Sequence, residues 1–284
     1  MKLNILTIVH NGMPWLPHHI KEFEKLKLDW HWHIVHGPCS NAGSTAWCKG
    51  NVPGLSTDGT SEYLDWLAKY GGVTVYEQDW WPGGKDEMVN RPIGERNWGE
   101  DESVLMQVDV DEFWKAEQLE TIVETFERGK VWQMMKFRCN YFLGPDIIAT
   151  GPGGWGDHDE EWLRAWRWKP GMMFDKHEWP ILAGNKGSCL RKRYTDAMGL
   201  RFNHFSWVTV EQARFKESFY RYPAAEEFWT RLQQNKEWPV DLTKFFYWGI
   251  NSGIMWSKAD LWNNVYPTQK NPYHELWKLT SSKI

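Results

Sequence analysis

VLMQVDVDEFW, residues 104–114, is an apolar run that stops on three acids, Asp109, Asp111 and Glu112. Val104 to Val108 reads as a buried strand, because a short unbroken apolar run ending in a polar turn suits a strand covered on both faces. Three carboxylates within four positions repel one another unless a cation or a proton sits among them. The stretch therefore asks for a positive partner at the end of a buried strand.

Strand and helix signals alternate on either side of it. Leu3 to His10, Trp30 to His36 and Val73 to Glu77 read as strands, and Trp15 to Lys27, Gly59 to Tyr70 and Lys115 to Arg128 as helices. Lys85 to about Gly99 is ambiguous, because Pro92 and two glycines interrupt it. Val131 to Leu143 reads as one long fifth strand. The alternation predicts an α/β fold, a mostly parallel central sheet flanked by helices. In such sheets ligands bind outside the carboxyl ends of the strands, so the loops after His10, His36, Glu77 and Val108 share one edge with the acids. Beyond residue 144 the alternation ends in a glycine-rich loop, GPGGWGDHDEEW (residues 151–162), and a Trp-rich irregular region to about residue 200. Helices are expected near Val208 to Tyr222 and Ala224 to Gln234.

At 284 residues the chain is long enough to bury a real core, and its net charge of -4 argues against a nucleic-acid partner. The 22 tryptophans suit large irregular cores and also stacking on sugar rings; core packing accounts for most of them, since a concave site needs few. Cys39, Cys48, Cys139 and Cys189 show no zinc spacing, and free thiols are expected over a Cys39–Cys48 disulfide. The apolar N-terminal run is too short for a signal peptide and no run reaches the length of a membrane span. A cytoplasmic protein is expected, with room for peripheral membrane contact.

Asp109 and Asp111 stand two apart at a strand end, so both carboxylates can face one hard cation such as Mg²⁺ or Mn²⁺, whose task would be to bind a diphosphate. The alternative is a helix cap, and Glu112 is assigned to capping or ordering the loop. LSTDGTSEYLDWL, residues 55–67, sets Asp58 and Gly59 at a turn before a helix, as a nucleotide contact or as an N-cap. ILTIVHNG, residues 5–12, ends in His10, Asn11 and Gly12, a strand exit where a base and ribose can be held. GGKDEMVN, residues 83–90, offers Lys85 to a phosphate or to solvent, with Asn90 beyond it.

These segments, in this order and spacing, resemble the nucleotide-sugar-binding half of inverting glycosyltransferases of the GT-A fold, family 2 in the broad sense. VDVDEF, residues 108–113, is similar to the D-A-D-E-[FW] motif in relatives of bacterial lipopolysaccharide-core transferases. WLRAWRWKPGMMFDKHEW, residues 162–179, resembles the R-L-[FW]-R segment followed by V-H-E. FNHFSWVTVEQARFKESFYRY, residues 202–222, resembles the closing H-x-S-[YW] segment with its downstream K-x-x-x-Y. The chain departs from the pattern after its second strand, where His36, Gly37 and Pro38 replace the usual acids and a loop is inserted around Cys48 to Pro53.

The resemblance implies a Rossmann-like sheet, with residues 1–143 as the nucleotide-sugar-binding half and residues 144–284 as the acceptor-binding and C-terminal half of the same domain. It implies a metal-dependent inverting transferase using Mn²⁺ or Mg²⁺, a UDP-, GDP- or dTDP-linked donor and a glycan or other hydroxyl acceptor. Asp111 would ligate the metal, Asp109 the ribose or metal, and His204 would complete the set, although a histidine before an aromatic stretch is ordinarily a core residue. Val9, Asn11, Asp58, Lys85 and Asn90 would contact the nucleotide. Glu178 is the candidate base, with Asp157, Asp159 and Glu160 as rivals and a plain surface glutamate as the alternative. The apolar neighbours Met173, Phe174 and Trp179 are expected to raise its pKa toward working pH. Arg164 and Arg167 would grip the diphosphate or sugar, or pack on tryptophans. Trp155, Trp162, Trp166 and Trp207 are the indoles assigned nearest an acceptor sugar. Competing readings are a sugar-nucleotide pyrophosphorylase, which lacks its glycine-rich Arg-bearing first loop here, a two-metal hydrolase, which lacks its His/Asp pairs, a carbohydrate-binding module and a degenerate transferase.

Overall fold

The computed structural model describes residues 1–49, 54–95, 98–145, 147–149, 162–237, 240–246 and 258–261. In chain order the elements are β1 (Leu3–Val9), α1 (Leu16–Phe23), β2 (Trp30–His36), α2 (Thr60–Leu67), β3 (Val73–Glu77), α3 (Gly84–Asn90), β4 (Ser103–Gln107), β5 (Glu112–Phe113), α4 (Ala116–Arg128), β6 (Trp132–Lys136), β7 (Arg138–Gly144) and β8 (Ile147–Ala149). They continue with β9 (Leu163–Trp168), β10 (Phe174–Lys176), β11 (Ile181–Leu182), β12 (Ser188–Leu190), α5 (Lys192–Ala197), β13 (Arg201–His204), α6 (Val210–Tyr220), α7 (Ala225–Gln233), β14 (Val240–Asp241) and β15 (Lys258–Leu261). The contacts divide the chain into one unit of residues 1–137 with 159–201 and another of residues 138–158 with 202–284, a different division from the expected halves meeting at residue 143.

The first unit is built on a seven-stranded sheet in the order β12-β6-β9-β4-β1-β2-β3. β1 pairs in parallel with β2 and β4, and β2 with β3. β9 runs antiparallel between β4 and β6, and β12 is parallel to β6. This is the expected α/β architecture, a mostly parallel sheet flanked by helices. β4 is buried at every position, its apolar centre Val104–Met106 flanked by buried Ser103 and Gln107. α4 buries Leu119, Ile122, Val123 and Phe126 from one stripe, and its first turn is closed by Gln118, whose Oε1 accepts from Lys115 N at 3.0 Å.

Two expectations change. The single strand over residues 131–143 is two, β6 in the first unit and β7 in the second. Between them Phe137 is fully buried, its N–H donates to Trp162 O at 2.9 Å, and its ring meets Trp114 edge-on at 4.9 Å. The Trp-rich region is not irregular throughout, because it holds β9, β12 and α5. β9, LRAWRW, hides its nature by carrying two arginines into a buried strand. Arg167 donates to the carbonyls of Trp132 and Phe126 and pairs with Glu102, so its charge and donors are answered inside the fold.

In the second unit β8 pairs antiparallel with β7 and β15, and β14 with β15. Thr209 caps α6 through Gln212, and Trp207 is buried, donating to the Tyr141 hydroxyl at 3.0 Å while its carbonyl accepts from Trp229. The four cysteines form no disulfide. Among the described residues no helix is long and apolar enough to cross a membrane.

Candidate active site at the carboxyl edge of the sheet

β4 ends at Gln107, and the acid turn follows. Glu112 folds back, its N–H donating to Asp109 O at 2.9 Å and its carboxylate lying 3.4 Å from Asp109 N. His19 braces the turn from α1, with Nε2 2.7 Å from Val110 O and its ring stacked 4.9 Å from Phe113. The first positive partner of the acids is Arg164 of β9. Its Nε lies 3.0 and 3.1 Å from the two Glu112 oxygens, Nη2 lies 2.8 Å from Oε1, and Nη2 reaches Asp109 Oδ2 at 3.5 Å. Glu112 has no exposed side-chain surface and Arg164 retains 5%. Glu112 therefore orders the loop rather than capping α4, and Arg164 is committed to carboxylates.

A buried ion pair costs more to break than to replace, because the survivor is left charged without a partner. Arg164→Met is expected to lower the unfolding free energy in urea by about 3–5 kcal/mol, whereas Arg164→Met with Glu112→Leu should recover most of it. A single-variant loss below ~1 kcal/mol would show that the pair is solvated.

Gln107 ties the acid turn to the His177–Glu178 segment. Its Nε2 donates to Asp109 Oδ1 at 3.3 Å and lies 3.3 Å from His177 Nε2. The other ring nitrogen, Nδ1, lies 3.6 Å from Glu178 Oε2. The backbone of this segment is pinned from α3 and the loop before it. His177 N donates to Asp86 Oδ1 at 2.7 Å and Glu178 N to Ser44 Oγ at 3.1 Å, while Ser44 N donates to Asp86 Oδ2 at 2.7 Å. This requires α3 to approach residues 42–44 closely. Gly84, at φ +72°, allows it, since a Cβ there would stand 2.7 Å from Ala42 O.

Burial pushes the Glu178 carboxyl up, but His177, Lys85 and Arg164 outweigh it and hold the group down at about 2. The expected rise toward working pH is reversed, because the charged neighbours prevail over Phe174, Met173 and Trp179. Lys85 is thus one of the cations whose charge lowers Glu178. Asn90 is engaged elsewhere: its side chain accepts from Phe174 N at 2.8 Å and donates to Phe174 O at 2.9 Å, fastening β10 to α3.

At the ends of β1 and β2 the loops are woven together. Asn11 N donates to Ser56 Oγ at 2.8 Å, Gly12 N to Thr60 Oγ1 at 2.7 Å and Met13 N to Asp58 Oδ2 at 2.9 Å, while Asn11 Oδ1 accepts from Thr57 N at 2.9 Å. Val9 is buried where Gly12 turns against it. Asp58 also accepts from Thr60 N at 3.1 Å, so it orders the turn, while Gly59 occupies the N-cap position of α2. His36, standing where the resembled family carries acids, lies 2.6 Å from Glu77 Oε2 and 2.9 Å from Ser56 Oγ.

Arg167 sits at the other end of β9, paired in register with Val104, away from Gln107. Trp162, Trp166 and Trp207 are 1% exposed, leaving no face for a sugar, whereas Trp179, beside Glu178, is 37% exposed. His204 belongs to the second unit, with Tyr141 edge-on to its ring at 5.0 Å. Trp155, Asp157, Asp159 and Glu160 lie outside the described residues. Among the described residues no three His, Cys, Asp or Glu side chains gather to hold a metal ion.

Gln107, Asp86 and Ser44 escaped the sequence reading. Gln107 carried a signal, a polar residue inside an apolar strand next to acids.

No family model matches the chain, and no curated protein matches it in sequence. Among solved structures, the 1–349 fragment of S. aureus TarS is similar at 12% identity and a TM-score of 0.40, covering 59% of this chain and 47% of that one. The same fragment in complex with UDP-GlcNAc gives 12%, 0.40, 59% and 45%. A longer S. aureus TarS structure gives 12%, 0.41, 59% and 28%. This chain therefore spans less than half the length of each.

Proposed function

We propose that the chain is a metal-dependent inverting glycosyltransferase, moving a sugar from a nucleotide-sugar donor to a hydroxyl acceptor. The observation that carries this reading is the Gln107 bridge, which joins the D-x-D acid Asp109 to the His177–Glu178 segment within one unit. Inverting displacement needs a carboxylate facing the attacking hydroxyl and a charged platform under the departing diphosphate. Glu178 supplies the first, with its charge stabilised by Lys85 and Arg164 and its backbone held by Ser44. Asp109 and Asp111 supply the second when Mn²⁺ or Mg²⁺ is bound, the cation neutralising charge on the leaving group. The interlocked loops at Asn11 and Ser56–Thr60 would hold the nucleoside. Trp179 offers the open aromatic face for the sugar or acceptor.

Thermal unfolding with UDP-, GDP- and dTDP-sugars, each with and without Mn²⁺, tests the reading. One nucleotide class should raise the melting temperature only with metal, by roughly 5–10 °C at a hundredfold excess over its Kd. Asp111→Asn should remove that metal-dependent part. A flat response to every nucleotide would overturn the transferase reading, and an unchanged shift in Asp111→Asn would overturn the metal role.

A further inference from the structure

The outer edge of the seven-stranded sheet concentrates positive charge that the candidate site does not use. β12 pairs with β6 with Ser188 opposite Trp132 and Leu190 opposite Met135. Lys186 precedes β12 and Arg191 follows it, while Lys130 precedes β6 and Lys136 ends it. Residues 128–136 add Arg128 to this set and residues 186–193 add Lys192 and Arg193, and neither stretch contains an acid, although the whole chain is at -4. Lys130, Lys186, Arg191 and Arg193 are exposed. The bordering acids are spoken for: Glu124 lies 3.1 Å from Arg128, Glu127 takes the N-terminal amine, and Asp196 takes Arg201 at 2.9 Å.

Exposed apolar side chains neighbour these cations along the chain. Val131 is 61% exposed, Tyr194 47% and Met198 41%, and the Arg193 guanidinium lies 4.5 Å over the Tyr194 ring. Charges alone would suffice to keep an edge strand from pairing with another sheet, but they do not account for uncovered Val131 and Met198. A nucleic acid would use the cations and the tyrosine, yet aliphatic side chains neither stack on bases nor bond phosphates. Cations interleaved with aliphatic and aromatic groups match a surface that is anionic outside and apolar just beneath.

We propose that the β12 edge docks on a membrane surface containing anionic lipids, the cations meeting headgroups while Val131, Tyr194 and Met198 enter the interfacial layer. β12 and β6 run parallel to β4, so Arg191 and Lys136 stand on the same sheet edge as Gln107. Arg191 lies three strand spacings from Gln107, about 14 Å, and Lys136 two, about 10 Å. Docking would therefore bring that edge close to the bilayer, whatever reaction it carries.

Co-sedimentation of the full chain with phosphatidylcholine vesicles, with and without about a third phosphatidylglycerol, tests this. Binding is expected only with the anionic lipid and should weaken with salt. Each surface cation is worth roughly fivefold in affinity, so Lys186→Glu/Arg191→Glu/Arg193→Glu should weaken binding at least ~100-fold. Val131→Ser/Tyr194→Ser should remove the salt-resistant part. If the triple variant fails to fold, Lys186→Gln and Arg191→Gln singly should each cost about fivefold. Absence of binding to anionic vesicles, or equal binding by the charge variants, would overturn the proposal. So would capture by heparin or RNA with vesicles ignored, which would assign the edge to soluble polyanions.

Discussion

Acidification from pH 6.5 to 4.5 should remove roughly 5 kcal/mol of stability through His19 and His33 alone, a large share of what a domain has. Burial lowers His19 to about 4, and burial with the charges of His31 and Lys2 lowers His33 to about 2. Both folded values lie below the unfolded value near 6.5. The unfolded chain therefore binds more protons at every pH beneath it, and stability is complete above 6.5 and falls as pH drops. Each histidine contributes a slope of about 1.4 kcal/mol per pH unit until its folded value is reached. His18 and His31, each held at about 4 chiefly by burial, add to the same slope with less weight because they keep some solvent contact. Urea unfolding at a series of pH values measures it. His33→Phe, which keeps a ring among Tyr76, Trp98 and His31, should flatten the curve by about one histidine's slope. An unfolding free energy constant between pH 7 and 5 would refute the histidine account.

Glu178→Gln is expected to reduce sugar transfer by about 100- to 10,000-fold while leaving donor binding within a few-fold. The amide preserves the shape beside His177 but cannot accept the acceptor's proton. Because its neighbours hold the carboxyl at about 2, the wild-type rate should show no titration of this group between pH 5 and 8. Any acid limb above pH 4 should coincide with the loss of structure that the histidines cause. Full transfer activity in Glu178→Gln would move the base elsewhere, with the acids of residues 157–160 as the next to substitute.

The strands β1 to β4 and the helix α4 were legible because their apolar residues repeat with the period of the element. β9 was not, since Arg164 and Arg167 make it look like surface until Glu112, Glu102 and the carbonyls of Phe126 and Trp132 are seen to receive them. The break at Phe137 was equally hidden, because strand periodicity runs straight through it. At the candidate site the sequence singled out Asp109, Asn11, Asp58 and Glu178 as candidates, but the hydrogen bonds around them had no sequence signal. Hydrogen bonds such as Gln107 to His177 join residues 70 apart and leave no local pattern. Burial separated the tryptophans in a way composition cannot, setting Trp162, Trp166 and Trp207 inside and Trp179 at the surface.

The insertion of β9 between β4 and β6 also orders events during synthesis. β4 and the acid turn leave the ribosome more than fifty residues before Arg164, so until β9 arrives the outer edge of β4 is unpaired and Glu112 has no guanidinium. Long-range closures of this kind come late and slowly, and an open edge with repelling acids cannot be sealed by anything nearer in the chain. The acid-bearing edge of β4 therefore cannot mature before β9 is made, and a nascent chain truncated before residue 164 would present it incomplete.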